Sequence, residues 1–194
     1  MDFQQPEEFR MLQELVARFI KEHLLPLEPG VLARETGTGL LTLPAEDRTR
    51  LDAAAREIGL VGLDAPEEFG GFDMPVAAMV GVYEEFGRTV VPYELPPDSP
   101  NLRMLLETVN EDQRHRYLLP YAKGETHSAI AVSEPGAGAD PSAMRTTAVR
   151  DGDDWVINGR KLWISRAEKA DWTIVMAVTD KAKGSRGGVS AFIV

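Results

Sequence analysis

The sequence predicts an α+β protein: an N-terminal all-α helical domain over residues 1–124, then an antiparallel β-sheet or small barrel over residues 125–194, truncated within or just after the β domain. Three observations predict it. Apolar residues recur at helical spacing through the first part. After Gly124 the period changes to short strand-like runs bounded by Asp151-Gly152, Asn158-Gly159 and Gly187-Gly188 turns. Charge shifts at the same point, with 22 acidic and 12 basic side chains in residues 1–124 and 9 of each in residues 125–194.

The first helix is expected from Pro6 to Leu25. Phe9, Leu12, Val16, Phe19 and Ile20 form its apolar stripe, and Pro26 stops it. Residues 27–43 carry Pro29, Gly30, Gly37 and Gly39 without periodicity and read as a connection. A second helix runs from Pro44 to Ile58, with Gly59 just past its end and Leu51, Ala55 and Ile58 on its buried face. A tight turn over Glu67–Gly71 precedes a third helix from Pro75 to Phe86, capped by Gly87.

Pro92, Pro96, Pro97 and Pro100 exclude regular structure over residues 90–100. A fourth helix is expected over Asn101–Thr108. A fifth starts at Asn110, where Gln113 completes a capping-box pattern, and Pro120 with Gly124 closes it. Strands follow at residues 127–132, 142–150, 155–157, 160–164, 172–178 and 189–194. The last ends the chain without a polar cap, so the chain is expected to continue.

Composition excludes several functions. There is no cysteine, which rules out disulfides and thiolate chemistry, and His23, His115 and His127 do not pair at metal-ligand spacing, so no metal site is expected. A net charge of −10 argues against nucleic acid. Neither a membrane-spanning run nor a signal peptide is visible, which makes the cytoplasm the default location.

Two stretches carry chemistry. Residues 128–132 read as a buried strand that breaks at Pro135 into a turn whose Gly136 and Gly138 can adopt positive φ and offer backbone N–H groups to a pyrophosphate. Gly159-Arg160-Lys161-Leu162-Trp163-Ile164-Ser165 follows. On a strand, Trp163 and Ser165 share one face, so the indole could cover a flat ring while the hydroxyl bonds its edge. Gly136-x-Gly138 is not a dinucleotide fingerprint, because Pro141 stands where the third glycine belongs. Ser133 and Ser165 lack the nucleophile elbow of a hydrolase.

Together, Ala131-Val132-Ser133-Glu134-Pro135-Gly136-Ala137-Gly138-Ala139-Asp140 and the Trp163 stretch resemble the acyl-CoA dehydrogenase family. The resemblance extends through Glu67–Gly71, Glu84–Arg88, Arg116–Pro120 and Gly187–Val194, essentially the whole chain. It implies an FAD flavoprotein of fatty acid metabolism, an oxidoreductase that α,β-dehydrogenates an acyl-CoA thioester. By the same resemblance, Ile130, Val132 and Ser133 line the flavin, Gly138 and Ala139 approach its pyrophosphate, Trp163 shields one ring face and Ser165 donates to N5.

Ala139 departs from the family pattern, which has a hydroxyl there that contacts cofactor and substrate; its loss weakens binding by about 0.5–1.5 kcal/mol. No catalytic residue is expected in this chain. The resemblance places the carboxylate base in a C-terminal domain beyond Val194, gives Glu134 the role of holding the turn, and implies that this chain alone is inactive. It also implies an electron-transfer flavoprotein or similar acceptor and a homo-oligomer, dimer or homotetramer. Two alternatives stay open: a non-catalytic partner subunit in a hetero-oligomer with a homologue, suggested by Ala139, and an oxidase or monooxygenase of the same fold.

Overall fold

The computed structural model describes residues 5–97, 101–138, 140–184 and 186–194. Their contacts divide the chain into two compact units. One holds α1 (Glu7–Phe19), α2 (Glu28–Thr38), α3 (Ala45–Glu57), α4 (Val76–Phe86) and the run Val109–Glu125. The other holds α5 (Asn101–Thr108) and Thr126–Val194.

The helical unit is built on apolar burial. Val16, Phe19, Ile20 and Leu24 are buried with Leu51, Leu60, Met79 and Val82, and each such side chain contributes roughly 1.5–3 kcal/mol. One polar tie crosses this core: Gln13 Nε2 donates to Glu85 Oε1 at 2.9 Å, and Arg88 pairs with the other Glu85 oxygen at 3.1 Å.

Both expected stops by proline are softer than the sequence suggests. The chain continues past Phe19 as a π turn over Ile20–Leu24 and a 3-10 turn over Leu25–Leu27 that contains Pro26. Likewise α6 (Glu111–Gln113) passes through a π turn, Arg114–Leu118, into α7 (Leu119–Ala122), which contains Pro120. A proline lacks the N–H and crowds the carbonyl four residues back; the wider turn ahead of each one accommodates both problems. The capping box forms as expected, with Gln113 N donating to Asn110 Oδ1 at 2.9 Å and Asn110 N to Gln113 Oε1 at 3.1 Å.

Residues 27–43 are not a mere connection, because α2 occupies Glu28–Thr38. Pro29 sits in its first turn, where no N–H is needed, Val31 is fully buried, and Gly39 ends it at φ 73°.

The second unit carries one five-stranded sheet: β1 (Ser128–Ala131), β2 (Thr147–Asp151), β3 (Asp154–Asn158), β4 (Trp172–Val178) and β5 (Val189–Ile193). The sheet is mixed, which corrects the purely antiparallel expectation. β2–β3 and β4–β5 are antiparallel, whereas β1 runs parallel to β4, with Ser128 opposite Trp172, and β2 meets β4 in parallel at Thr147 and Val178. Trp172, Ile174 and Ala177 of β4 are buried at the centre. Two expected strand limits move. Residues 141–143 form a 3-10 turn ahead of β2, capped by Asp140, which accepts from Ser142 N at 2.9 Å. Residues 160–164 are not a strand.

Candidate functional site: a glycine turn and an exposed tryptophan

β1 delivers Ile130 half-buried, Val132 exposed and Ser133 half-buried to the start of a tight turn. Glu134 and Ala137 close it with reciprocal backbone bonds, Glu134 N to Ala137 O at 3.0 Å and Ala137 N to Glu134 O at 3.2 Å. The expectation of positive φ fails here: neither Gly136 nor Gly138 is in the left-handed region. What glycine provides is space. A Cβ on either would meet nothing within 4 Å, so the turn presents bare backbone to an open face. Ala139 lies outside the described residues.

The residues after β3 return alongside this turn without joining the sheet. Leu162 N donates to Ser133 O at 2.9 Å, and Lys161 Nζ donates to Val132 O at 3.0 Å and Glu134 Oε1 at 2.9 Å. Gly159 is pressed against Thr146, where an added Cβ would lie 2.2 Å from the Thr146 hydroxyl. Trp163 then takes φ 58°, in the left-handed region, and Arg166 φ 64°. Because Trp163 is not on a strand, the alternation that would put its side chain and that of Ser165 on one face does not apply. The indole is 87% exposed, an unusual state for so large an apolar ring, and Ser165 is exposed as well.

Underneath, Glu134 is sealed. Its side chain is 4% exposed and that of Lys161 12%. The carboxylate accepts from Arg145 N at 2.7 Å and Thr146 N at 2.9 Å in addition to Lys161. Burial alone would raise its pKa. The Arg145 N–H, the Lys161 ammonium and the Thr146 N–H outweigh burial and hold it at about 2, against 4.5 for an ordinary glutamate. Glu134 therefore holds the turn and is committed to that work. Lys161, Arg145 and Thr146 are residues that sequence reasoning leaves without a role, and Gly159, read only as a turn residue, packs against Thr146. The available signal was a lysine two residues before Trp163 and a carboxylate inside a turn, opposite charges that could pair.

Beside the turn a cleft of about 600 Å³ opens, lined among others by Gly136, Ser142, Arg145, Lys181 and Gly184. Its volume is in the range of small-molecule sites.

Two family descriptions match the chain: "Acyl-CoA dehydrogenase, N-terminal domain" over residues 6–125 and "Acyl-CoA dehydrogenase, middle domain" over residues 129–194. The chain belongs to the acyl-CoA dehydrogenase family. It is 40% identical to the (R)-benzylsuccinyl-CoA dehydrogenase of Thauera aromatica, over 100% of this chain and 50% of that protein. It is 34% identical to the glutaryl-CoA dehydrogenase of Desulfococcus multivorans, over 100% of this chain and 49% of that protein. The crystal structure of an acyl-CoA dehydrogenase from Geobacillus kaustophilus superposes with a TM-score of 0.81 at 26% identity, over 100% of this chain and 49% of that one.

The chain thus spans about half the length of the curated relatives it matches. Acyl-CoA dehydrogenases are flavoprotein oxidoreductases that use FAD. The residues present fit such a group: a bare glycine turn open to its approach stands with an exposed indole carried by a segment bonded to that turn. No helix among the described residues is long and apolar enough to cross a membrane.

Proposed function

We propose that this chain is the helical and flavin-contacting part of an enzyme that α,β-dehydrogenates an acyl-CoA thioester. The observation that carries the reading is the open space over Gly136 and Gly138, joined through the Leu162–Ser133 bond to the segment that exposes Trp163. Gly138 and the Ala139 backbone would hold the pyrophosphate. Ile130, Val132 and Ser133 would line the flavin, Ser133 hydrogen-bonding it, while Trp163 would cover the ring and Ser165 would donate a hydrogen bond to it. The chemistry FAD supplies when bound is acceptance of the β hydrogen as hydride. Arg145 and Lys181 put positive charge on the cleft beside Gly136, which suits the phosphates of CoA.

Removal of the α proton needs a carboxylate with a free lone pair. Glu134 cannot serve, since its oxygens are occupied by three donors and it is buried. The base comes from residues outside this chain, and the chain alone turns over nothing. The reading includes an oligomer that passes electrons to an electron-transfer flavoprotein or a similar acceptor, with the cytoplasm as its default location.

A second reading, a partner subunit of a heteromeric enzyme, is favoured by Ala139 and by likeness to a solved ChsE4-ChsE5 complex from Mycobacterium tuberculosis, at 26% identity and a TM-score of 0.80 over 48% of that chain.

One experiment separates these readings. The natural gene product is weighed intact against the 21.4 kDa of this chain, then its flavin is challenged with a panel of acyl-CoAs under anaerobic conditions. A larger mass with bleaching of oxidised flavin by one acyl-CoA is the expected result. Retention of FAD only on co-expression with a homologue selects the partner subunit, and tight saturable FAD binding by this 194-residue chain contradicts the need for further residues.

A further inference from the structure

Lys161 solves a problem that the geometry of its own segment creates. Residues 159–166 have no place in the sheet, yet two non-glycine residues among them, Trp163 and Arg166, hold positive φ. Backbone in the left-handed region relaxes unless its surroundings fix it. After Trp163, Arg166 O accepts from Lys169 N at 2.9 Å and from Ala170 N at 3.0 Å, which closes a local turn; the ties to the glycine turn and to the sheet precede Trp163. They are the close approach of Gly159 to Thr146, the two bonds from Lys161 Nζ, and the Leu162 N–H to Ser133 O bond.

A lysine is an expensive tether when stability alone is at issue, because an apolar residue of similar size fills a buried position without desolvating a charge. What the ammonium adds is direction. It reaches Val132 O before the turn and Glu134 inside it at once, and so registers the Trp163 backbone against the glycine turn. Glu134 is fixed in turn by the Arg145 and Thr146 N–H groups, so the register is taken from β2 as well as from β1.

We propose that Lys161 is a positioning residue: its bridge between Val132 O and the Glu134 carboxylate sets the position of the Trp163 backbone relative to the glycine turn, and thereby the affinity of the site for flavin. The ligand in this statement rests on the flavoprotein reading above; the control over Trp163 does not.

The test uses the full 194-residue chain, ¹⁵N-labelled, as wild type, Lys161→Arg, Lys161→Met and the charge-neutral double variant Glu134→Gln/Lys161→Met. The double variant leaves no lone buried charge, so it reports even where Lys161→Met does not fold. The first readout needs no ligand. The backbone order parameter at Trp163 is expected to fall from about 0.85 to below about 0.6 in the Met-containing variants and to stay high with arginine, while β4 amides are unchanged.

The second readout is FAD affinity by flavin fluorescence, measured with and without Trp163→Ala. Lys161→Met is expected to cost about tenfold when Trp163 is present and less than about twofold when it is absent, the non-additivity of a residue acting through another. An unchanged order parameter at Trp163 overturns the proposal, as does an equal loss of affinity in both backgrounds, which a merely structural role would give. If wild type takes up no FAD at all, the isolated chain needs the further residues proposed above, the affinity readout moves to the full-length gene product, and the order parameter decides the role of Lys161 in either case.

Discussion

Glu134 and Gly136 are two residues apart and occupy opposite environments. The region around Glu134 is closed: carboxylate, ammonium and two backbone N–H groups satisfy one another, and Gly159 packs against Thr146 with no room for a methyl group. The region from Gly136 to Gly138, with Trp163, is open: bare glycines face empty space and a large indole stands in solvent. A single sequence signature thus combines a closed support with a surface that stays open among the described residues. Changes to the support should cost stability, and changes to the open face should cost almost none.

The largest expected effect is Glu134→Ala. It leaves the Lys161 ammonium buried with only the Val132 carbonyl and strands the Arg145 and Thr146 N–H groups. Breaking a buried ion pair from one side costs about 3–5 kcal/mol. Denaturant unfolding followed at Trp155 and Trp172 is expected to show that loss in the sheet unit, and a change under about 1 kcal/mol would mean that the support is not closed.

Acid should act on the same group with a smaller effect. The Glu134 pKa is depressed from 4.5 to about 2, so the charged form is the one folding favours. Its contribution is complete above pH 4.5 and is lost as pH falls towards about 2. At 1.36 kcal/mol per unit this amounts to roughly 3 kcal/mol. Sheet-unit stability measured across that window is expected to decline, and the decline should disappear in Glu134→Gln.

Gly159→Ala comes next. The added methyl would overlap the Thr146 side chain and backbone, and overpacking of this kind costs about 1–3 kcal/mol. Pairing it with Thr146→Gly, which removes the two nearest atoms, Oγ1 and Cβ, tests the assignment: no partial recovery would place the strain elsewhere.

These contrasts also mark what was legible beforehand. The capping box at Asn110 and Gln113 was readable because both partners lie within three residues and the bond is local. Strand β4 was readable end to end, since a buried apolar run has one use. Helix α2 was hidden by Pro29, Gly30 and Gly37, breakers in a helix interior that are harmless in a first turn or an exposed last turn; burial of Val31 decides the matter, and burial is tertiary. The parallel pairing of β1 with β4 leaves no turn signal, because Ser128 and Trp172 meet across a long stretch of chain. The Trp163 segment looked like a strand from composition. Lys161 ties it to Val132 O instead, and that bond links residues 29 apart. At the site the signature residues were legible as a group, whereas which of them support and which present was not, since one motif holds both environments.

Trp163→Ala should have the smallest effect on stability, and it cuts most directly between the two regions. An 87% exposed side chain buries little area, so its removal is expected to change stability by no more than about 0.5 kcal/mol. Trp172, 5% exposed at the start of β4, sets the opposite limit: truncation there costs about 3–5 kcal/mol. Positive φ at residue 163 sharpens the case, since alanine tolerates that conformation no better than tryptophan, and glycine does so freely. Trp163→Gly should therefore be neutral or slightly stabilising in thermal unfolding even though it deletes the whole indole. A clear loss of stability in both variants would mean that the indole serves the fold, and the division between support and open face would then have to be redrawn through Trp163 itself.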